Sequence, residues 1–258
     1  AVLGAVQNAC RLLMFRVFDP AAVLDRIESH RVNAMTGVPT MLLALLEEQA
    51  RRPRDCGSVR IAVSGGSMVA PEIVRRIAST FGCRFQIVYG QTETSPVICQ
   101  HRLDDSLDDV AESVGQPLPR QSVSIRSVED NSVVGIGETG EICVSGYCRM
   151  LGYNDDPEAT ARTIDAEGWL HTGDLGTMDV RGYVSVTGRV KEMIIRGGEN
   201  LFPAEIENCL LEHPEVGEVA VLGLPDARWG EIVAAVIRPA PGCAPTPGAL
   251  RTHCRERL

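Results

Sequence analysis

Lysine is almost missing from this chain. Lys191 is the only one, so the other 24 of the 25 basic residues are arginine. A GC-rich coding bias is the simplest explanation for this imbalance. Whatever the cause, any mechanism that needs a lysine side chain must use Lys191.

The chain also lacks the patterns of metal sites, disulfide frameworks and membrane spans. Its cysteines are odd in number and scattered, and they show no CxxC or Cys/His ligand spacing. This pattern disfavours both a metal site and a disulfide framework. Free thiols suit a reducing compartment, so we predict a cytoplasmic protein. No segment approaches the ~18 consecutive apolar residues of a membrane helix, which predicts no transmembrane segment. The nine cysteines are Cys10, Cys56, Cys83, Cys99, Cys143, Cys148, Cys209, Cys243 and Cys254.

An excess of positive charge is absent as well. The formal net charge is −9 and the pI about 5.1, which argues against a nucleic-acid or anionic-membrane partner and leaves small-molecule ligands open. The 44% hydrophobic and 23% charged residues are ordinary for a globular protein and exclude disorder. A length of 258 residues allows one large domain or two modest ones.

The first third of the chain predicts a parallel α/β sheet. Asp19-Pro20 is an N-cap with proline at the first helical position, and it predicts a helix to about His30. Pro39 and Pro71 begin two further apolar-striped helices. The strands VNAMTGV, VRIAVSGG and CRFQIVYG alternate with these helices, as in right-handed crossover connections.

The pattern changes twice after about Arg102. Short alternating runs between glycines and prolines predict antiparallel strands, including SVSIRSV and GEICVSG. After Arg189, the strand EMIIRG, the helix PAEIENCLLEH and the strands EVAVLGL and EIVAAVIRP predict a small α+β unit. The predicted fold class is therefore α/β: a parallel-sheet subdomain, an antiparallel β subdomain and a small α+β domain.

Two loops follow consecutive parallel strands and are expected at one sheet edge, where such sheets bind ligands. Ser64–Ser67 carries paired glycines, which allow a close backbone approach to a ligand. Tyr89–Thr94 adds an aromatic ring, two hydroxyls and the Glu93 carboxylate, a combination suited to Mg²⁺ held with phosphates. An ordinary βα turn explains the first loop better, and the two explanations are even for the second.

A hairpin predicts a third polar group. Centring LGTMDVRGYVSVTG on the turn 180–182 gives paired residues an index sum of about 363, which places Asp174 beside Arg189 at the open end of the hairpin. A carboxylate beside a guanidinium can bind a ribose diol, although a structural ion pair is the commoner arrangement. His171 in the same stretch is more readily a hydrogen-bonded structural histidine than a general base.

Seven quoted stretches, in this order, resemble one superfamily: VSGGS, YGQTETSP, GETGEICVSG, MLGYNDDPEAT, GWLHTGDLG, GYVSVTGRVKEMIIRGGENLFPAEIE, and the pair GLPD and WGE. The chain resembles the AMP-forming adenylate ligases over nearly its whole length, and within them the fatty-acid–CoA ligases. The resemblance implies that residues 1–189 are the C-terminal portion of the large adenylating domain. Residues 190–258 would be the N-terminal portion of the small mobile domain.

The resemblance also implies roles for the site residues. Tyr89 would stack on adenine, Thr92 would contact the α-phosphate, and Glu93 would hold Mg²⁺. The other expected positions are Gly66 and Ser67 in the adenine and acyl pocket, Gly90 and Gln91 in the nucleotide loop, Asp174 and Arg189 on the ribose, Lys191 at the hinge, and Gly197 and Gly198 beside the coenzyme A tunnel.

The implied reaction uses ATP to convert a carboxylic acid, of fatty-acid type, into acyl-AMP and pyrophosphate. The small domain then rotates and coenzyme A thiol displaces AMP. Two alternatives remain open: a non-catalytic nucleotide-binding remnant, and an adenylation domain that loads a carrier-protein thiol. The stretch GGENLFPAEIE disfavours the carrier-protein alternative.

Two lysine-bearing elements of the family have no counterpart in this sequence. The phosphate loop, which ends in Pro-Lys, would precede Ala1, and the adenylating lysine near the family's C terminus is absent. Both ends of the chain look cut, so the expectation is an internal fragment that does not complete the reaction alone.

Overall fold

The computed structural model describes residues 2–67 and 69–258. They form two compact units, bounded as Ala1–Tyr89 with Gln100–Gly115, and Gly90–Cys99 with Gln116–Leu258. Of the helices in these described stretches, none is long and apolar enough to span a membrane.

The first unit contains the predicted parallel sheet. Its strands β1 to β3 run side by side, β2 pairing with β1 at Ala34↔Ile61 and with β3 at Ile61↔Arg84. The elements of this unit are α1 (Val2–Gln7), α2 (Pro20–His30), β1 (Ala34–Thr36), α3 (Pro39–Arg51), β2 (Ile61–Gly65), α4 (Pro71–Phe81), β3 (Arg84–Tyr89) and α5 (Leu107–Glu112).

Local sequence signals explain where these helices begin and end. The carboxylate of Asp19 accepts hydrogen bonds from the Ala21 and Ala22 N–H groups and caps α2. Proline begins α2, α3 and α4, because its missing N–H would have no partner in the first helical turn. Gly82 ends α4 in the left-handed conformation. The predicted helix–strand alternation is thereby confirmed.

Apolar faces of these helices and strands form one core. Leu24 of α2, Leu42 of α3 and Ile77 of α4 have no exposed surface, and they pack in one cluster with Phe85 and Ile87 of β3. Two further strands are short, β4 (Cys99–Gln100) and β5 (Gln116–Pro117).

The second unit contains two antiparallel sheets. The first has the order β6-β7-β8-β9, and its antiparallel pairing is the one predicted from the short alternating runs. Its elements are β6 (Gln121–Arg126), β7 (Gly140–Gly146), α6 (Pro157–Thr163), β8 (Leu170–Met178) and β9 (Val184–Arg189).

The second antiparallel sheet has the order β11-β10-β13-β12. Its apolar face packs with two helices in a small core of Ile194, Leu210, Val216, Val221 and Leu250, which confirms the predicted α+β arrangement. The elements are β10 (Ile194–Arg196), β11 (Glu199–Leu201), α7 (Pro203–Leu211), β12 (Val216–Asp226), β13 (Gly230–Pro239) and α8 (Pro247–Arg255).

Candidate functional site

The hairpin of β8 and β9 brings Asp174 and Arg189 together. The two residues are paired in the strand register, and Arg189 Nε lies 3.2 Å from Asp174 Oδ1. The Asp174 side chain is 12% exposed and that of Arg189 57%, so the carboxylate is held in place while the guanidinium reaches solvent. The pairing predicted from the sequence is confirmed, whereas its role towards ribose stays a prediction.

A β-bulge sets this register. Gly176 pairs with Val186 but Leu175 pairs with Gly188, so Thr187 is one extra residue on β9. An uninterrupted hairpin would have continued the first register and put Gly188 opposite Asp174. Bulges redirect side chains in this way, and here the bulge selects Arg189 as the partner of Asp174.

A cavity of about 380 Å³ lies beside this pair. It combines several carboxylates with three basic side chains, a mixture suited to a ligand that carries both hydroxyl and phosphate groups. Its lining consists of Gln91, Glu93, Glu141, Tyr153, Arg162, Thr163, His171, Thr172, Gly173, Asp174, Arg189 and Lys191.

Glu93 reaches the cavity from a single 3₁₀ turn, Thr92–Thr94. Its main-chain carbonyl accepts a 2.8 Å hydrogen bond from the Met150 N–H. Its Oε1 accepts a 2.9 Å hydrogen bond from the Tyr153 hydroxyl. This bond raises the pKa of Tyr153, with a smaller contribution from burial, so the phenol keeps its proton and donates to the carboxylate.

The rest of the loop positions Glu93. Gly90 is required by space, because a Cβ there would lie 2.1 Å from the Pro96 carbonyl oxygen. The Gln91 N–H bonds to Thr94 Oγ1 and closes the turn. Gln91 lines the cavity, whereas Thr92 is exposed and is not part of the lining.

Three predicted site residues lie in the first unit. Gly66, with φ of +86°, and Ser67 are both exposed just after β2. Tyr89 is half-buried at the end of β3. The neighbouring Gly65 is packed against the next strand, since a Cβ on it would lie 2.6 Å from both the Val88 side chain and its carbonyl oxygen.

The remaining predicted residues follow β9. Lys191 is exposed in the 3₁₀ turn Val190–Glu192 and lines the cavity. Gly197 and Gly198 form the tight turn between β10 and β11, with φ of +64° and +92°. The Gly197 N–H donates to the Trp229 carbonyl, and a Cβ on Gly197 would lie 2.9 Å from the Trp229 ring.

His171 is hydrogen-bonded on both ring nitrogens, in agreement with the structural role expected for it. Nδ1 lies 2.7 Å from Glu141 Oε2, and Nε2 lies 3.5 Å from Asp165 Oδ2. Burial raises the pKa of Asp165, but hydrogen bonds, the largest from the Trp169 N–H, outweigh it and hold the pKa below its usual value.

Sequence reasoning missed Tyr153 and Glu141 as cavity residues. Tyr153 belongs to the motif MLGYNDDPEAT, and Glu141 to GETGEICVSG, but neither motif by itself indicates which of its side chains faces a ligand. Glu141 is held by the Gly173 N–H, 2.9 Å from its Oε1. This contact ties the carboxylate to the residue that precedes Asp174.

Two family models match the chain. The model of the AMP-binding enzymes matches residues 1–154, and the model of the AMP-binding enzyme C-terminal domain matches residues 205–258. The domain boundary predicted after residue 189 falls in the interval between these matches and stays a prediction.

Known proteins are similar over the whole chain. YngI of Bacillus subtilis (strain 168), named as an acyl-CoA synthetase, is 39% identical over 258 residues, which are 100% of this chain and 47% of that protein. The mitochondrial medium-chain acyl-CoA ligase ACSF2 of Macaca fascicularis is 36% identical over 99% of this chain and 43% of that protein. The chain thus spans just under half the length of these relatives.

A solved structure gives the same picture. O-succinylbenzoate CoA synthetase (MenE) of Bacillus subtilis, in complex with the acyl-adenylate intermediate OSB-AMP, superposes with a TM-score of 0.83 at 33% identity. The match covers 100% of this chain and 51% of that structure. The α/β fold with parallel and antiparallel sheets, expected from the sequence, is confirmed.

Proposed function

The chain belongs to the AMP-binding enzymes, and from this premise we propose that the protein is an AMP-forming acyl-CoA ligase. It would join a carboxylic acid to ATP, release pyrophosphate, and transfer the acyl group from acyl-AMP to coenzyme A. The observation that carries the proposal is the ion pair of Asp174 and Arg189 on the wall of a cavity that Glu93 also faces.

Ribose recognition falls to Asp174 and Arg189. The carboxylate can accept hydrogen bonds from both hydroxyls of a diol, and the guanidinium can donate to the ring or phosphate oxygens. Because Asp174 is buried and bonded to Arg189, it stays oriented without the ligand. Such preorganisation lowers the entropy lost when a nucleotide binds.

Mg²⁺ is the metal that fits the Glu93 carboxylate. It prefers hard oxygen ligands and is commonly held by one or two carboxylates together with substrate phosphates. Glu93 presents such an oxygen to the cavity, and the Tyr153 hydroxyl on Oε1 fixes its orientation. When bound, Mg²⁺ would neutralise charge on the phosphates during attack by the carboxylate.

The residues of the loops and the hinge complete the proposal. Tyr89 would stack on adenine, with Gly66 and Ser67 lining the adenine and acyl pocket. Thr92 would contact the α-phosphate, and Gly90 and Gln91 shape the loop. Lys191 would be the hinge, about which residues 190–258 rotate so that Gly197 and Gly198 border the path of coenzyme A.

A fatty acid is the proposed acid substrate and the cytoplasm the proposed location. The similarity to a medium-chain acyl-CoA ligase supports a fatty acid, while that protein is mitochondrial, so cell fractionation decides the location. Transfer to a carrier-protein thiol is the second acceptor to test. If the protein forms acyl-AMP and transfers the acyl group to a carrier protein but not to coenzyme A, the second proposal replaces the first.

Nucleotide binding tests the proposal most directly. Titration of AMP into the protein by calorimetry is expected to show binding that Asp174→Ala weakens by about tenfold or more, because a lost hydrogen-bond partner costs roughly 1–3 kcal/mol. Asp108→Ala, at a carboxylate that is 79% exposed in another part of the chain, is the matched control. Equal AMP affinity in wild type and Asp174→Ala would contradict the ribose assignment.

A further inference from the structure

Three side chains of different chemistry converge between β7 and β8. His171 Nδ1 lies 2.7 Å from Glu141 Oε2 and 3.5 Å from Cys143 Sγ, and the ligand atoms of the three residues all lie within 4.8 Å of one another. The strand register explains part of the meeting, because Cys143 pairs with His171 across the ladder. Glu141 lies two positions earlier on β7, beyond a register shift, and its carboxylate reaches the same imidazole.

We propose that Glu141, Cys143 and His171 bind a divalent transition-metal ion of the Zn²⁺ class. A thiolate and an imidazole are the softer ligands that bind such ions in preference to Mg²⁺, and Zn²⁺ also accepts a carboxylate as a ligand. Three protein ligands would leave one tetrahedral position for water. The site is distinct from the Mg²⁺ position proposed at Glu93 and does not depend on the proposed function.

The distances agree with tetrahedral coordination. With a metal–sulfur bond of about 2.3 Å and a metal–nitrogen bond of about 2.0–2.1 Å, tetrahedral angles separate sulfur and nitrogen by about 3.5 Å. The Cys143–His171 distance is 3.5 Å without rearrangement. The Glu141–His171 distance, at 2.7 Å, has the length of a hydrogen bond and would widen to about 3.3 Å when a metal replaces the proton.

The surroundings supply the second requirement of a metal site, which is orientation of the ligands. Asp165 Oδ2 lies 3.5 Å from His171 Nε2, the arrangement in which a carboxylate orients a metal-bound histidine. The Gly173 N–H holds Glu141 through Oε1 and leaves Oε2 directed at His171. Both Glu141 and His171 line the 380 Å³ cavity, which provides a path for the ion.

The pKa of the Cys143 thiol determines whether metal binding must displace a proton. Burial raises the pKa of this thiol to about 12, with the Glu141 and Asp165 carboxylates adding to the rise and the Arg126 guanidinium opposing it. The thiol is therefore protonated when no metal is bound. Metal binding would form bonds to the sulfur, the nitrogen and the carboxylate oxygen, and it would release to solvent both the S–H proton of Cys143 and the proton shared between Glu141 and His171.

Co²⁺ and Zn²⁺ binding to the longest native form of the protein that carries this chain tests the proposal. Co²⁺ bound to a thiolate gives a sulfur-to-metal charge-transfer band in the near ultraviolet, and Zn²⁺ should displace it at one equivalent. Cys143→Ala should abolish the band and weaken Zn²⁺ binding at least tenfold. Cys148→Ala, at another buried thiol whose Sγ contacts Gln121, is the matched control and should keep both.

His171→Asn provides an independent readout if Cys143→Ala fails to give a cooperative melting curve. It should weaken Zn²⁺ binding at least tenfold while the thiolate band remains at saturating Co²⁺. No band in the wild type, or a band that Cys143→Ala leaves intact, would overturn the proposal. A band that depends on Cys148 would overturn it too, because the metal would then bind elsewhere.

Discussion

The Tyr153 hydroxyl donates a 2.9 Å hydrogen bond to Oε1 of Glu93, a residue sixty positions earlier in the chain. The bond joins the loop after β3 to the segment before α6, so two motifs that are separate in sequence act on one carboxylate. Since Glu93 also raises the pKa of Tyr153, the phenol remains a donor throughout the neutral range.

Tyr153→Phe is expected to loosen Glu93 without unfolding the protein, because the ring is retained and Tyr153 is an exposed residue. The Mg²⁺ concentration for half-maximal acyl-AMP formation should rise roughly threefold to tenfold. Pyrophosphate exchange at a series of Mg²⁺ concentrations measures this. Tyr147→Phe, at a ring that is 67% exposed, is the control and should leave the titration unchanged.

Glu93→Gln removes the charge but keeps the shape of the side chain. We expect acyl-AMP formation to fall by roughly tenfold or more and the Mg²⁺ dependence to move to higher concentration, because an amide is a poorer Mg²⁺ ligand. Glu158→Gln, at a carboxylate that is 88% exposed on α6, is the matched control. A change in thermal stability with an unaltered Mg²⁺ titration would show that Glu93 is structural.

Lys191→Pro tests the hinge. The hydrogen bond of the turn Val190–Glu192 runs from the Met193 N–H to the Val190 carbonyl, so it does not use the Lys191 N–H that this substitution removes. The substitution does fix φ, which restricts the torsions that must change between the two half-reactions. Adenylation, followed by pyrophosphate release, should survive, while thioester formation from preformed acyl-AMP should fail.

Lys191→Ala is the control for the hinge, because it removes the amine but leaves φ free. It should support the thioester step better than Lys191→Pro does. Equal loss of both half-reactions in Lys191→Pro would contradict a hinge at this position.

A buried ion pair in the first unit predicts a pH-dependent stability. Arg54 donates to Glu48 and Asp25, and its side chain and that of Glu48 are almost fully buried. The hydrogen bond from Arg54 is the largest cause of the lowered pKa of Glu48. The stability that this carboxylate contributes is therefore present above its unfolded pKa near 4.5 and lost as the pH falls through the folded value.

Arg54→Met should accordingly lower the melting temperature at pH 7 by several degrees, because the buried Glu48 carboxylate loses Arg54 and keeps only its ion pair with Arg51. The difference from wild type should shrink as the pH falls below about 4.5, where Glu48 takes up a proton. Arg31→Met, which breaks an exposed ion pair with Asp55, should have little effect at either pH. A difference between Arg54→Met and wild type that does not change with pH would contradict this account.

The sequence by itself determined the elements whose causes are local. Proline at the first helical position and the Asp19 cap act within four residues, so the starts of α2, α3 and α4 could be predicted closely. The α/β alternation followed from apolar periodicity for the same reason. The resemblance to the adenylate ligases rested on motif order, which needs no coordinates.

The hairpin that pairs Asp174 with Arg189 could be predicted from the sequence only in part. Its turn could be located from the sequence. The exact pairing of Asp174 with Arg189, however, depends on the bulge at Thr187, which no local sequence pattern predicts. Only the tertiary structure decided that Tyr153 orients Glu93 and that Glu141, Cys143 and His171 meet. These contacts join residues 28 to 60 positions apart, and their geometry follows from strand register and loop packing, which spacing along the chain does not encode.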